Sequence, residues 1–178
     1  TWGMYYIRFP RKGNTAYYAE NETFEIGKGK RLREGSDVTL IASGVEVPQA
    51  LAAAELLAAD GISAEVIDMF TVKPIDEALV CASAGKTGAV VTAENHSVNG
   101  GLGSAVAAVL AEHCPVPMYR IGVREQFGEV GDAAYLSHKF GLDAQVIADA
   151  ARKTVVRKSG LSACRYHGRT ARIHCGVG

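Results

Sequence analysis

Residues 92–106, TAENHSVNGGLGSAV, bring a carboxylate, an imidazole and three glycines within ten positions. Gly100, Gly101 and Gly103 let bare backbone come close to a bound group. A helix starting after them offers free N–H groups and a partial positive charge. Glu94 and His96 fall at the end of an apolar run, where open α/β sheets bind their ligands. The functional reading is an anion or substrate site, with His96 as a side chain of the type suited to acid–base work. The alternative is a scaffold turn that packs a helix on its strand, with His96 as a surface or interface hydrogen-bonder. A nucleotide site lacks the G-x-G-x-x-G spacing, a P-loop lysine and a clean acid about 20 residues on.

Two other stretches carry charge in a pattern. In YYIRFPRKGN, Arg8 and Arg11 flank Phe9 and Pro10 with Lys12 adjacent. Guanidinium groups at a strand end can hold a phosphate or carboxylate bidentately; a solvated loop is the alternative. In VIDMFTVKPID, Pro74 bars helix at Lys73, and Asp76 is placed to cap a helix rather than to catalyse. Cys164, His167, His174 and Cys175 near the end have the spacing C-x2-H-x6-H-C. That is not the spacing of a zinc finger, and adjacent His-Cys ligands sit awkwardly around a tetrahedral ion. No metal site is assigned.

The elements that must position these groups begin at Asp37. DVTLIASG is a buried strand with a glycine stop. VEVPQALAAAELLAADG is a helix with Val47, Leu51, Ala54 and Ala58 on one face, Pro48 in its first turn and Gly61 ending it. SAEVIDMF, GAVVTAEN and VPMYRIGV are further strands. EALVCASAG, residues 101–112 and residues 143–158 are further helices. Before them, GMYYIRFPR is β-prone, and 10–36 reads as a polar linker with at most one short strand around Phe24–Ile26. After Lys158 the period dissolves. Strand–helix alternation of this kind predicts an α/β fold: three αβα layers around a mostly parallel sheet.

Composition agrees with layered packing: 48% apolar, 7% aromatic and 20 glycines in 178 residues. That length is enough for one domain and a sizeable core. Zero net charge hides an asymmetry. Residues 159–178 hold three arginines and no acid, so residues 1–158 carry 16 basic against 19 acidic side chains, a net of −3. Such a body offers no basic field for nucleic acid, and no apolar run reaches the roughly 18 residues of a membrane span. TWGMYYIRFPRK has neither the apolar core nor the cleavage site of a signal peptide, and reads as starting in mid-domain. Cys81, Cys114, Cys164 and Cys175 suit free thiols in a reducing, cytoplasmic setting.

Taken in order, YYIRFPRKGN, IGKGKRLREGSDVTLIASGVEV, VIDMFTVKPID, TAENHSVNGGLGSAVA and GVREQFGEVG resemble the transketolase family over residues 4–158. The likeness is greatest to the C-terminal polypeptide of split, prokaryotic-type transketolases. It implies residues 1–12 as the last strand of a pyrimidine-binding module, 13–36 as a linker and 37–158 as the transketolase C-terminal domain. Residues 159–178 have no counterpart and are expected to be a disordered or appended tail. The resemblance also implies ketol transfer between sugar phosphates, with thiamine diphosphate and Mg2+ in the assembled enzyme. The chain alone is expected to be inactive, to hold no cofactor and to carry no catalytic residue. Its expected partners are an N-terminal transketolase polypeptide or upstream domains, and a second copy in a homodimer. Neither nucleic acid nor membrane is among them. In the family an arginine of the IRFPR segment meets substrate phosphate, here Arg8 or Arg11. Phe70 stands where deoxyxylulose-phosphate synthases carry a second phosphate-binding arginine. Glu94, Asn95, His96 and Gly100–Gly103 match a family signature that is mainly structural and at subunit contacts. The alternatives are a 2-oxoacid dehydrogenase β subunit, a deoxyxylulose-phosphate synthase, or a free-standing anion-binding regulatory module.

Overall fold

The computed structural model describes residues 3–10 and 16–167, with side chains to residue 160. Its sheet contains β1 (Lys30–Arg33), β2 (Val38–Ala42), β3 (Ala64–Asp68), β4 (Val90–Ser97) and β5 (Met118–Val123), in the order β1-β3-β2-β4-β5. β2 to β5 run parallel, and β1 joins β3 antiparallel at the edge. Between and after the strands lie α1 (Glu46–Ala59), α2 (Glu77–Thr87), α3 (Leu102–His113), α4 (Ala133–Lys139) and α5 (Ala144–His167). The expected three-layer α/β architecture is the one observed.

Alternation along each strand decides which helix layer a side chain meets. Val38, Leu40, Ala42, Val66, Val91 and Ala93 pack with α1 and α5, while Ile41, Ile67 and Val90 pack with α2 and α3. Alanines make the close approach: Ala50, Ala53 and Ala54 of α1 and Ala148 and Ala151 of α5 are fully buried. Each fully buried Leu or Ile adds about 1.5–3 kcal/mol of transfer free energy. Asp76 caps α2 as predicted, accepting from Leu79 N at 3.0 Å, and it also accepts from Gly29 N at 3.2 Å.

Four expectations change. The buried stripe of α1 is Val47, Ala50, Ala53, Ala54 and Leu57, whereas Leu51 is only half-buried and Ala58 is exposed. The stripe is turned because α5, as well as the sheet, packs on α1. The linker strand is β1 rather than Phe24–Ile26: pairing forms where the outer edge of β3 is available, with Lys30 opposite Asp68. Phe24 instead meets Tyr18 and Phe70 edge-on. Residues 4–10 join no ladder among the described residues, although the Arg8 side chain reaches Asn95 O of β4. Finally, α5 continues to His167. Lys158 anchors it, donating to Asp37 O at 2.8 Å and Thr87 O at 3.0 Å. Past it the backbone ladder, which is local, goes on without an apolar stripe to advertise it. The short α4 buries no residue, which is why no periodicity marked it.

Candidate functional site

Strands β2 to β5 end along one edge of the sheet, and the turn between β4 and α3 stands there. Glu94 lies on the α3 side of β4 and is 2% exposed. Its two carboxylate oxygens accept from Leu102 N at 2.7 Å and Gly103 N at 2.8 Å. The anion-binding capacity of this helix N-terminus is therefore filled by the chain's own carboxylate. That contact explains Gly101, where a Cβ would run into Glu94 Oε2, and Gly100 turns the chain at φ +81°. Ser104 closes the turn, accepting from Gly100 N at 3.0 Å and donating to Val98 O at 3.2 Å.

Arg120 braces the same turn and was passed over in the sequence. From β5 its Nη1 donates to Val98 O at 2.8 Å and to Ser104 Oγ at 3.3 Å. A Cβ on Gly103 would lie 2.9 Å from Arg120 Cδ, so that glycine makes room for the guanidinium stem. The signal was available: Arg120 alternates with Met118 and Gly122 on the face that α3 covers. His96 is exposed, with Nδ1 at 3.0 Å from Ser97 O, and among the described residues no acid is bonded to its ring. Arg8 is exposed too, and its Nη2 donates to Asn95 O at 3.0 Å, which ties the N-terminal segment to the end of β4. Arg11, His174 and Cys175 lie outside the described residues, as do the side chains of Cys164 and His167. Phe70 is held edge-on to Phe24, with ring centroids 5.0 Å apart.

On the opposite face of the sheet the same edge holds two more buried acids. Asp68 ends β3 and accepts from Tyr18 OH at 2.7 Å and Tyr17 OH at 3.3 Å, while its Oδ1 has no partner. Burial raises the Asp68 carboxyl, with the tyrosine hydroxyls pulling it back. Burial and the neighbouring carboxylate in turn push Tyr17 up to about 12 and Tyr18 further. Glu46, in the first turn of α1, has an unpartnered Oε2. Burial first, and then Asp143, push its carboxyl up to about 7.

These residues do not fit a magnesium–diphosphate group. Among the described residues no three of His, Cys, Asp and Glu cluster to hold a metal ion, and Glu94 already takes the N–H groups of Leu102 and Gly103 at the α3 start. Nor is any described helix long and apolar enough to cross a membrane.

Comparison with known proteins bears on the same elements. Residues 27–147 match the family model described as transketolase, C-terminal domain. The chain is 55% identical over 157 residues to the 6-deoxy-6-sulfo-D-fructose transketolase subunit SqwH of Clostridium sp. (strain MSTE9), covering 88% of this chain and 49% of that protein. It is 44% identical over 132 residues to the 1-deoxy-D-xylulose-5-phosphate synthase of Syntrophotalea carbinolica, covering 74% of this chain and 21% of that one. A solved split-gene transketolase, described as an inactive β4 tetramer, superposes with a TM-score of 0.79 at 47% identity, over 83% of this chain and 48% of its own. The chain thus spans about half the length of the first relative and of the solved structure, or less of the synthase. Ordered motifs, sheet order and identity meet in one conclusion: this chain belongs to the transketolase family and carries its C-terminal domain.

Proposed function

We propose that this chain acts as the C-terminal part of a thiamine diphosphate- and Mg2+-dependent transketolase that moves two-carbon ketol units between anionic sugars. Alone it is inactive; the N-terminal polypeptide, or upstream domains, supplies the cofactor site, and the assembly is a cytoplasmic dimer of such pairs. The observation that carries this reading is Glu94 seated on the α3 N-terminus. It makes the glycine turn a self-contained brace, not a ligand cradle, and leaves the chain a supporting part.

Arg8 is the residue we assign to substrate. One N–H of its guanidinium is spent on Asn95 O, which fixes the group at the sheet edge, and the remaining donors suit the terminal oxyanion of a sugar. Phosphate and sulfonate both meet that requirement, and the clostridial relative is named for a sulfosugar. Transketolase is favoured over the synthase because position 70 holds a phenylalanine packed on Phe24, with no guanidinium to offer. Titrating thiamine diphosphate and Mg2+ calorimetrically tests the reading, with the chain alone and mixed with the N-terminal polypeptide of a split transketolase. We expect binding, and ketol transfer from xylulose 5-phosphate, only in the mixture. Saturable cofactor binding by the chain alone would overturn the assignment.

A further inference from the structure

Cys81 and Cys114 stand apart from the sheet edge just described. One lies in α2 and the other is the C-cap of α3, and these helices pack side by side on one face of the sheet. Both rest on the apolar cluster that contains Val80, Val109 and Leu110, and both keep partial access to solvent. A neighbouring contact fixes their approach. Glu77, one helical turn before Cys81 and so on its face, lies 3.9 Å from Nε2 of His113, the residue before Cys114. That contact sets Cys81 and Cys114 on the same α2–α3 seam, and after burial it is Cys81 that acts on the Cys114 thiol. Far apart in sequence, they read as unrelated free cysteines; the βα crossovers bring them together.

We propose that Cys81 and Cys114 form an oxidisable dithiol, which a small-molecule disulfide converts into a covalent bridge between α2 and the end of α3. The Cys81 thiolate attacks one sulfur of the R–S–S–R reagent, the S–S bond breaks, and the first R–S⁻ leaves and takes a proton. Cys114 then gives its proton to solvent and displaces the second R–S⁻ from Cys81, closing the bridge. Two protein S–H groups are lost and two R–SH are formed, so the protein is oxidised and the reagent reduced. Burial, and then the Cys81 sulfur, push the Cys114 thiol up to about 11. That makes Cys114 a poor first attacker and suits it to the second step, where Cys81 is already held against it.

The test uses the full chain with Cys164→Ser and Cys175→Ser, incubated with excess oxidised glutathione and digested without reductant. We expect a linked peptide joining Cys81 to Cys114, lighter by two hydrogens, in protein whose circular dichroism is unchanged. Dithiothreitol should reverse it, and closure should quicken roughly tenfold per pH unit below the Cys114 value, following its thiolate fraction. Adding Cys114→Ser should trap a glutathione adduct on Cys81, whereas adding Cys81→Ser should leave Cys114 largely unreacted. Separate adducts on both cysteines with no link, no reaction at all, or a link found only after the dichroism has collapsed would each overturn the proposal.

Discussion

Glu94 on β4 and Glu46 in α1 are each 2% exposed, and each stands where a parallel strand gives way to a helix. They lie on opposite faces of the sheet at the same edge, yet their surroundings differ. Glu94 reaches from a strand to the start of a helix that is not its own, and takes two N–H bonds there. Glu46 belongs to the first turn of its own helix and is turned toward α5. There Asp143 is already engaged by Val146 N at 3.0 Å and by His138 Nδ1 at 3.2 Å. An acid in a first turn normally gains from the helix dipole; here desolvation and a second carboxylate outweigh that gain, and one oxygen is left without a donor. Equal burial therefore stabilises one face and loads the other, and what separates them is the supply of donors.

The largest effect that sharpens this contrast is Glu94→Ala. It strands two buried N–H groups and should lower unfolding free energy by roughly 2–4 kcal/mol, since each unsatisfied buried donor costs about 1–3 kcal/mol. Glu94→Gln keeps one acceptor oxygen and should recover about half of that loss. Urea unfolding of the three proteins reads both numbers. If Glu94→Ala changed the midpoint little, the turn would not be the brace described, and its N–H groups would be open to an external anion.

Glu46 should answer with the opposite sign. Its value of about 7 in the fold lies above the ordinary 4.5, so the folded state holds the proton more tightly than the unfolded chain. The resulting stability is fully present below about pH 4.5 and is lost as pH rises through about 7. Glu46→Gln, neutral throughout, should remove that decline. Relative to the parent it should gain roughly 2 kcal/mol between about pH 5 and pH 8. Denaturant melts at the two pH values check it. A gap that stays constant with pH would mean that ionisation of Glu46 is not what loads the α1–α5 face.

Much of the scaffold could be read in the chain itself, and the reasons show where reading stops. Strands such as Val38–Ala42 and Val90–Ser97 declared themselves by β-branched runs, and Asp76 by its place after Pro74, because those signals are local. The stripe of α1 could not be read correctly from period alone, since α5 arrives from far along the chain and turns it. β1 was invisible for a related reason: KRLR is charged, as edge strands often are, and only the free edge of β3 makes it a strand. At the site, the glycines and Glu94 were legible as a cluster but not as a closed hydrogen-bond set. Tyr17 and Tyr18 entered only through tertiary contact with Asp68, and Arg120, though its place in the strand alternation was legible, gained its role only from contact with Val98 and Ser104.

Arg8 marks the smallest expected effect on the fold and decides whether ligand binding is separable from the Glu94 brace. Its side chain is exposed and its one hydrogen bond among the described residues is to a backbone carbonyl, so Arg8→Ala should shift stability by no more than about 0.5 kcal/mol. In the assembled enzyme the same change removes charge-assisted bonds worth about 1.5–3 kcal/mol. KM for the anionic sugar should therefore rise by roughly 10- to 150-fold, because these bonds form to a group remote from the reacting carbons and act equally in ground and transition states. Turnover should hold nearly constant. Arg8→Lys should keep the charge but lose the fork geometry, and so fall between the two. Equal losses in KM and turnover would move Arg8 into the reacting centre. A loss of stability like that of Glu94→Ala would instead make Arg8 part of the brace and move the substrate assignment away from it.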